Sequence, residues 1–289
     1  MADRILLKTT IPPSADDWCS ARFSLLRAHL AGLTAPDGSP LYDVVARDRH
    51  ADRDGDDPDL LALPTSDTAE LWLFAVEVGG GLSAADCAAI RAFRVRGGGC
   101  MVTRDHQDMG ASVLGLGDLG AAHFFHQRHR EPDPDRWRVD DTGTPAISWP
   151  NYHSGRNGDP QEIRAEEPVH DLLRRADGRV IRWLPAHPHE GAVGVPPGAP
   201  HARLVATGTS KITGRRFNIA VAFDRSRDCA GRAVAQSTFH HFADYNWEPA
   251  RGCPSFVGEP CGDGMEVNPE ARRDVEAWVS NLARWLRPA

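Results

Sequence analysis

The stretch "LWLFAVEVGGGLSAADCAAIRAFRVRGGGCMVTRDHQDMG", residues 71–110, decides the fold. Its opening apolar run, Leu71–Val76, reads as a strand buried on both faces, as strands of a parallel sheet are. Gly79–Gly81 end it. The next segment carries apolar residues at helical spacing, with Ser83 as N-cap and Asp86 at the third helical position. Three more glycines, Gly97–Gly99, lead into a second apolar run, Cys100–Val102. That run stops in Thr103, Arg104, Asp105 and His106. Strand, helix and strand at this spacing predict a βαβ unit.

Upstream the same alternation continues. "RILLKTTIP" predicts a buried first strand, "SADDWCSARFSLLRAHLAG" a helix over 14–32 and "LYDVVARDR" a second strand, followed by the acidic loop "HADRDGDDPDL". Downstream, about residues 111–200 are rich in Pro, Gly, His and Trp and have little periodicity. Trp137, Trp149 and Tyr152 argue against disorder there. "EEPVHDLLRRADGRVIRWLPAHPHEG" predicts a short helix, then a strand ending in a His-rich loop. "ARLVATGTS", "RFNIAVAFD" and "GRAVAQSTFHHF" predict three strands. "NPEARRDVEAWVSNLARWL" predicts an amphipathic closing helix capped by Asn268. The expected fold is α/β: a flavodoxin-like, doubly wound, mostly parallel sheet with helices on both faces. It is expected to be one domain over 1–289, with a loop-rich insertion at about 111–200.

The whole-chain balance narrows the function. The net charge is −7 with a pI near 6.0, which opposes nucleic-acid binding. Only Lys8 and Lys211 are lysines, and arginine carries the rest of the positive charge. The apolar run Ile5–Leu7 is too short for a secretory signal, and no window approaches a membrane span. A cytoplasmic protein with free thiols is expected, without a membrane or nucleic-acid partner and with a homo-oligomer left open. Cys253 and Cys261 share one loop, where a disulfide or a metal site would be the alternative.

In doubly wound sheets the ligand crevice lies beyond the carboxyl ends of the strands, where Thr103–His106 stand. Four His-bearing polar clusters are expected to converge there. They are Arg104-Asp105-His106; the loop residues Asn151, Tyr152, His153, Ser154, Asn157 and Asp159; His187, His189 and Glu190; and His240, His241, Asp244, Tyr245 and Asn246. Histidine beside carboxylate is the usual acid–base pairing, because imidazole titrates near neutral pH. His106 or His240 would act as acid or base. Asp105 would orient it, Arg104 would hold an anionic or hydroxyl group, and Asn151, Tyr152, His153, Ser154, Asn157, His241 and Asn246 would line the pocket. This chemistry requires no cofactor. His187, His189 and Glu190 would admit a divalent metal such as Zn²⁺, with a third imidazole from His106 or His240. In "FHHF" an extended backbone would send His240 and His241 to opposite faces. Cys100, at the strand's start, is expected to be packed inside, whereas reactive thiols need exposure. No P-loop or GxSxG elbow occurs.

The 71–110 stretch, with "GRAVAQSTFHHFADYNW" later, resembles the class I glutamine amidotransferase-like superfamily, and within it the ThuA-like (trehalose utilisation) branch. The likeness covers roughly residues 60–110 and 200–247. It implies a small-molecule enzyme acting on a polar, carbohydrate-like substrate. Amidotransferases carry a nucleophilic cysteine at the turn after this strand, with a downstream His-x-Glu partner. Here that turn is Thr103, Arg104, Asp105, so glutaminase activity is not expected. The alternatives are a metal-dependent hydrolase built on the His cluster and a non-catalytic ligand-binding or scaffold protein.

Overall fold

The computed structural model describes residues 2–141, 143–144 and 146–289. Its strands are β1 (Asp3–Thr9), β2 (Tyr42–Arg47), β3 (Thr68–Phe74), β4 (Gly99–Thr103), β5 (His123–Phe124), β6 (Pro160–Glu162), β7 (Arg164–Ala165), β8 (Trp183–Pro185), β9 (Ala192–Val193), β10 (Ala202–Thr209), β11 (Arg216–Phe223) and β12 (Ala233–Gln236). Its helices are α1 (Ser24–Ala31), α2 (Pro58–Ala62), α3 (Ala84–Val95), α4 (Asp118–Ala121), α5 (Asp244–Trp247), α6 (Gly264–Val267) and α7 (Pro269–Leu286).

The main sheet has eight strands in the order β2-β1-β3-β4-β12-β11-β10-β7. The first five are mutually parallel and the last three run antiparallel. The parallel part has the flavodoxin-like winding, 2-1-3-4-5 in chain order. The α/β fold expected from residues 71–110 is therefore the fold observed. Two small ribbons, β5-β9 and β6-β8, come from the long middle segment, which also supplies the edge strand β7.

Alternation along each strand builds two core layers. Ile5, Leu7, Trp72, Phe74, Met101 and Val234 face α1 and α7. Leu6, Leu71, Leu73, Cys100, Val102 and Ala235 face α2 and α3. Cys100 thus lies under α3, fully buried, and burial pushes its thiol up to about 12. All six cysteines are free, so Cys253 and Cys261 form no disulfide. Alkylation of the native protein followed by mass spectrometry should modify the exposed Cys261 first and leave Cys100 untouched. Labelling of Cys100 as fast as Cys261 would contradict this packing.

Helix ends follow their side chains. Ser83 and Asp86 close a capping box at α3, and Asn268 accepts from the Glu270 and Ala271 N–H groups at α7. The first helix is shorter than its sequence predicts. α1 starts at Ser24, after a 3₁₀ turn over Ser20–Phe23. Its cap is remote: the Asp244 carboxylate accepts from Ser24 N (3.0 Å), Leu25 N (2.8 Å) and Ser24 Oγ (2.6 Å). A second correction concerns "FHHF". β12 ends at Gln236, and Phe239–His241 form a 3₁₀ turn capped by Thr238, so strand alternation does not govern the two histidines. Among the described residues no helix is long and apolar enough to cross a membrane.

Candidate active site

β4 and β12 are adjacent and parallel, with Thr103 paired to Gln236. The residues just past them therefore meet over the carboxyl edge of the sheet. Phe239 N–H donates to the Arg104 carbonyl at 3.0 Å, and Thr238 Oγ1 donates to Asp105 Oδ1 at 2.7 Å. The other carboxylate oxygen of Asp105, Oδ2, is the centre of the site. His106 Nδ1 lies 2.8 Å from it, His187 Nε2 3.5 Å and His240 Nε2 3.9 Å.

All of these groups but His106 are buried; the His106 side chain keeps 17% of its surface. Burial opposes ionisation of Asp105, but the charge that His187 and His106 carry when protonated holds its carboxyl well below the usual carboxylate range. Burial also pushes His187 down to about 4 and His240 well below the usual imidazole range. Both rings are accordingly neutral near pH 7. They stack on each other at 3.5 Å between centroids, with planes 10° apart. Trp18 packs edge-on against His240 at 4.7 Å.

Loop 151–159 and α5 support these rings from behind. Asn157 Oδ1 meets His187 Nδ1 at 2.9 Å, and Asn246 Oδ1 meets His240 Nδ1 at 2.8 Å. The backbone of His187 is fixed by Ser154, whose hydroxyl accepts from His187 N–H (2.9 Å) and donates to its carbonyl (3.0 Å). Asn151, fully buried, meets His189 Nδ1 at 3.2 Å. His189 also contacts Glu259 at 3.1 Å and Asp141 at 3.4 Å. It lies edge-on to His106, 5.7 Å away. His153, Asp141, Thr144, Arg156 and Glu259 line a cleft of about 410 Å³ just outside this layer. A second cleft, of about 590 Å³, opens at the carboxyl ends of β1 and β3 and has Trp18 in its wall.

Not every residue expected in the crevice is there. Arg104 is fully buried on the other side of the sheet edge. Its guanidinium lies 4.3 Å from the Phe125 ring centroid and donates to the Gln107 carbonyl. Adjacent residues at a strand end point to opposite faces, and Asp105 has the crevice face. Burial also lowers Arg104 to about 9, and it cannot hold a substrate in this position. Tyr152 stacks flat on Phe217 (5.0 Å, 6°) and spends its hydroxyl on the Arg136 carbonyl. Glu190 turns away from His187 and His189. Its carboxylate accepts from Ser237 Oγ (2.9 Å) and from Gln161, and it lies 3.5 Å from His241 Nε2. The His241 ring is held between Gln161 and Gln236. Glu190 and His241 thus form a separate buried network. Asp159 holds Arg156 and Gly264 N–H, Asp244 caps α1, and Tyr245 is buried.

Sequence reading missed Thr238, Trp18, Asp141 and Glu259. Thr238 stands two residues before the histidine pair and is an N-cap type, which was a usable signal. Glu259 lies in "CPSFVGEPCG", which drew notice only for its cysteines. Nothing local marks Trp18, which reaches the site through the tertiary fold.

No family model and no curated protein matches the chain. Among solved structures it is similar to the N-terminal domain of mmIFT52, at 11% identity and a TM-score of 0.51 over 96% of this chain and 97% of that one. At that identity the likeness is one of fold. Weaker similarity links it to the glutaminase domain of Trypanosoma brucei CTPS with bound acivicin (12%, TM-score 0.49, 100% and 98% covered). A ThuA-like protein from Parabacteroides merdae is at a similar distance (12%, TM-score 0.47, 99% and 90% covered).

Proposed function

We propose that this chain is a small-molecule enzyme of the ThuA-like group that uses His/Asp acid–base chemistry on a polar, carbohydrate-like substrate. The observation that carries the reading is the Asp105–His106 pair. A buried carboxylate, anchored by Thr238, orients a partly exposed imidazole through one 2.8 Å bond. That is the arrangement a general acid or base needs: a fixed ring, a defined tautomer and a face open to a ligand. The adjoining cleft presents Asp141, Thr144, His153, Arg156 and Glu259, side chains that pair with hydroxyl groups. Glutaminase chemistry has no support, because Cys100 is buried under α3 and the turn after β4 holds no thiol.

The test is a turnover screen across sugars, glycosides, amides and esters, run on the wild type and on His106→Ala. Turnover of a hydroxyl-rich substrate is expected, with a loss of about 10²-fold in His106→Ala and an unchanged thermal midpoint. Binding without turnover across the whole screen would overturn the reading in favour of a non-catalytic ligand-binding protein. Turnover indifferent to His106 would overturn it as well.

A further inference from the structure

One backbone carbonyl determines the protonation pattern of both buried histidines. The Ala186 carbonyl can only accept, so the Asn246 atom 2.9 Å from it is Nδ2. The same Nδ2 lies 2.8 Å from Asn157 and can only donate, so the atom it meets is Oδ1. With both amides oriented, Asn246 Oδ1 faces His240 Nδ1 and Asn157 Oδ1 faces His187 Nδ1. An amide oxygen accepts, so each imidazole carries its proton on Nδ1. In both rings the nitrogen left for a ligand is then Nε2.

Both Nε2 atoms look toward Asp105 Oδ2, which offers only lone pairs. His187 Nε2 is buried and has no hydrogen-bond partner among the described residues. The two nitrogens and the carboxylate oxygen all lie within 4.8 Å of one another. Three atoms of ligand type thus converge on one buried point. Such a buried arrangement is costly unless a cation occupies the point.

We infer that Asp105, His187 and His240 form a binding site for one divalent transition-metal ion of the zinc type, with Asn157 and Asn246 orienting the two histidines. The inference deepens the acid–base reading, with which it shares Asp105, by giving that site a cofactor. Two imidazoles and a carboxylate are the donor set of zinc centres that leave a coordination position open. Ligand imidazoles that give their second N–H to an amide or carboxylate are the usual outer support of such centres. Tetrahedral ligands about 2.1 Å from zinc stand about 3.4 Å apart. The separations from Asp105 Oδ2, 3.5 and 3.9 Å, are close to that. The two rings now stack nearly parallel, so ion entry tilts their Nε2 edges together. A carboxylate oxygen has two lone pairs, so Oδ2 can bind the ion and keep the His106 N–H. The ligand set differs from the His187, His189 and Glu190 set suggested by "HPHEG". His189 is engaged by Asn151, Asp141 and Glu259, and Glu190 belongs to the His241 network.

The test uses untagged protein, stripped with chelator and titrated calorimetrically with Zn²⁺. About one equivalent is expected to bind. His187→Ala and His240→Ala should each abolish binding, and Asn246→Ala should weaken it about 10–100-fold. His189→Ala should leave metal affinity unchanged. Binding below about 0.2 equivalent, or binding retained in both alanine variants, would overturn the inference. If those variants fail to fold, crystals of the wild type soaked in Zn²⁺ decide it. An anomalous peak between Asp105, His187 and His240 supports the site, and a map with no peak there removes it. Turnover that needs His106 but ignores both Zn²⁺ and chelator would remove the metal while leaving the acid–base reading in place.

Discussion

Replacing Asp105 by asparagine is expected to lower kcat/KM by about 10³–10⁴-fold, the size seen when the carboxylate that orients a catalytic imidazole becomes an amide. The substitution keeps size and shape. The asparagine carbonyl can still accept from Thr238 Oγ1, as Asp105 Oδ1 does at 2.7 Å. The amide NH₂ then falls where Oδ2 was, facing His106 Nδ1 at 2.8 Å. A donor there forces His106 to present its lone pair at Nδ1 and its proton at Nε2, the wrong tautomer for the exposed side of the ring. The same NH₂ also removes the negative charge that His187 and His240 face. Thr238→Val, which deletes the anchor on Oδ1 and the cap on His240 N–H but keeps the carboxylate, is expected to cost far less. The measurement is kcat/KM on the substrate found in the turnover screen, with the thermal midpoint as a control for folding. An Asp105→Asn enzyme within about threefold of wild type, less than 1 kcal/mol of transition-state stabilisation, would remove Asp105 from the chemistry.

How far this site can be read from the chain differs from element to element. The βαβ unit is legible because its signals are local: a continuous apolar run, a capping box at Ser83 and Asp86, and glycines at both breaks. Asp105 and His106 are legible because the end of a buried parallel strand must open on the crevice. Arg104 is misread for a reason of phase. Two neighbouring polar residues at one strand end cannot both face the same side, and the sequence does not state which one does. His187 and His240 could be identified as chemically able, but not as stacked partners. Their meeting depends on loop 151–159 and on the turn after β12, and neither carries a periodic signal. The pairing of each histidine with an asparagine is likewise invisible in one dimension: 30 residues separate His187 from Asn157. The remote cap of α1 shows the same limit, because Asp244 supplies it from 220 residues away.

Lys8→Met is expected to destabilise the fold by about 3–5 kcal/mol, the cost of leaving a buried charge without its partner. Lys8 is one of only two lysines in a chain whose cations are otherwise arginine, and it sits near the carboxyl end of the buried strand β1. Its side chain is fully buried, and its ammonium lies 2.8 Å from the equally buried Asp57 and 2.7 Å from Asp59. Asp57 does more than balance charge. It caps α2 by accepting from Asp59 N–H, accepts from His50 N–H, and donates its own N–H to Asp86. Asp86 in turn pairs with Arg49 at 2.7 Å and closes the capping box of α3. One lysine thus neutralises a network that fixes the starts of two helices packed on one face of the sheet. Methionine fills the volume of Lys8 but leaves the Asp57 carboxylate buried without its cation. Asp57→Asn keeps the capping oxygen, so its cost should come mainly from the lost ion pair. The double variant Lys8→Met/Asp57→Asn should therefore be more stable than the sum of the two single losses predicts, by about 1–3 kcal/mol of coupling. Urea unfolding of the four proteins measures all of this, and strict additivity would show that the pair is not what holds the two helix starts. The network involves neither His187 nor His240, so metal affinity in the folded fraction of Lys8→Met should match the wild type. The stability of the sheet edge and the chemistry above β4 and β12 are then separable properties of this chain.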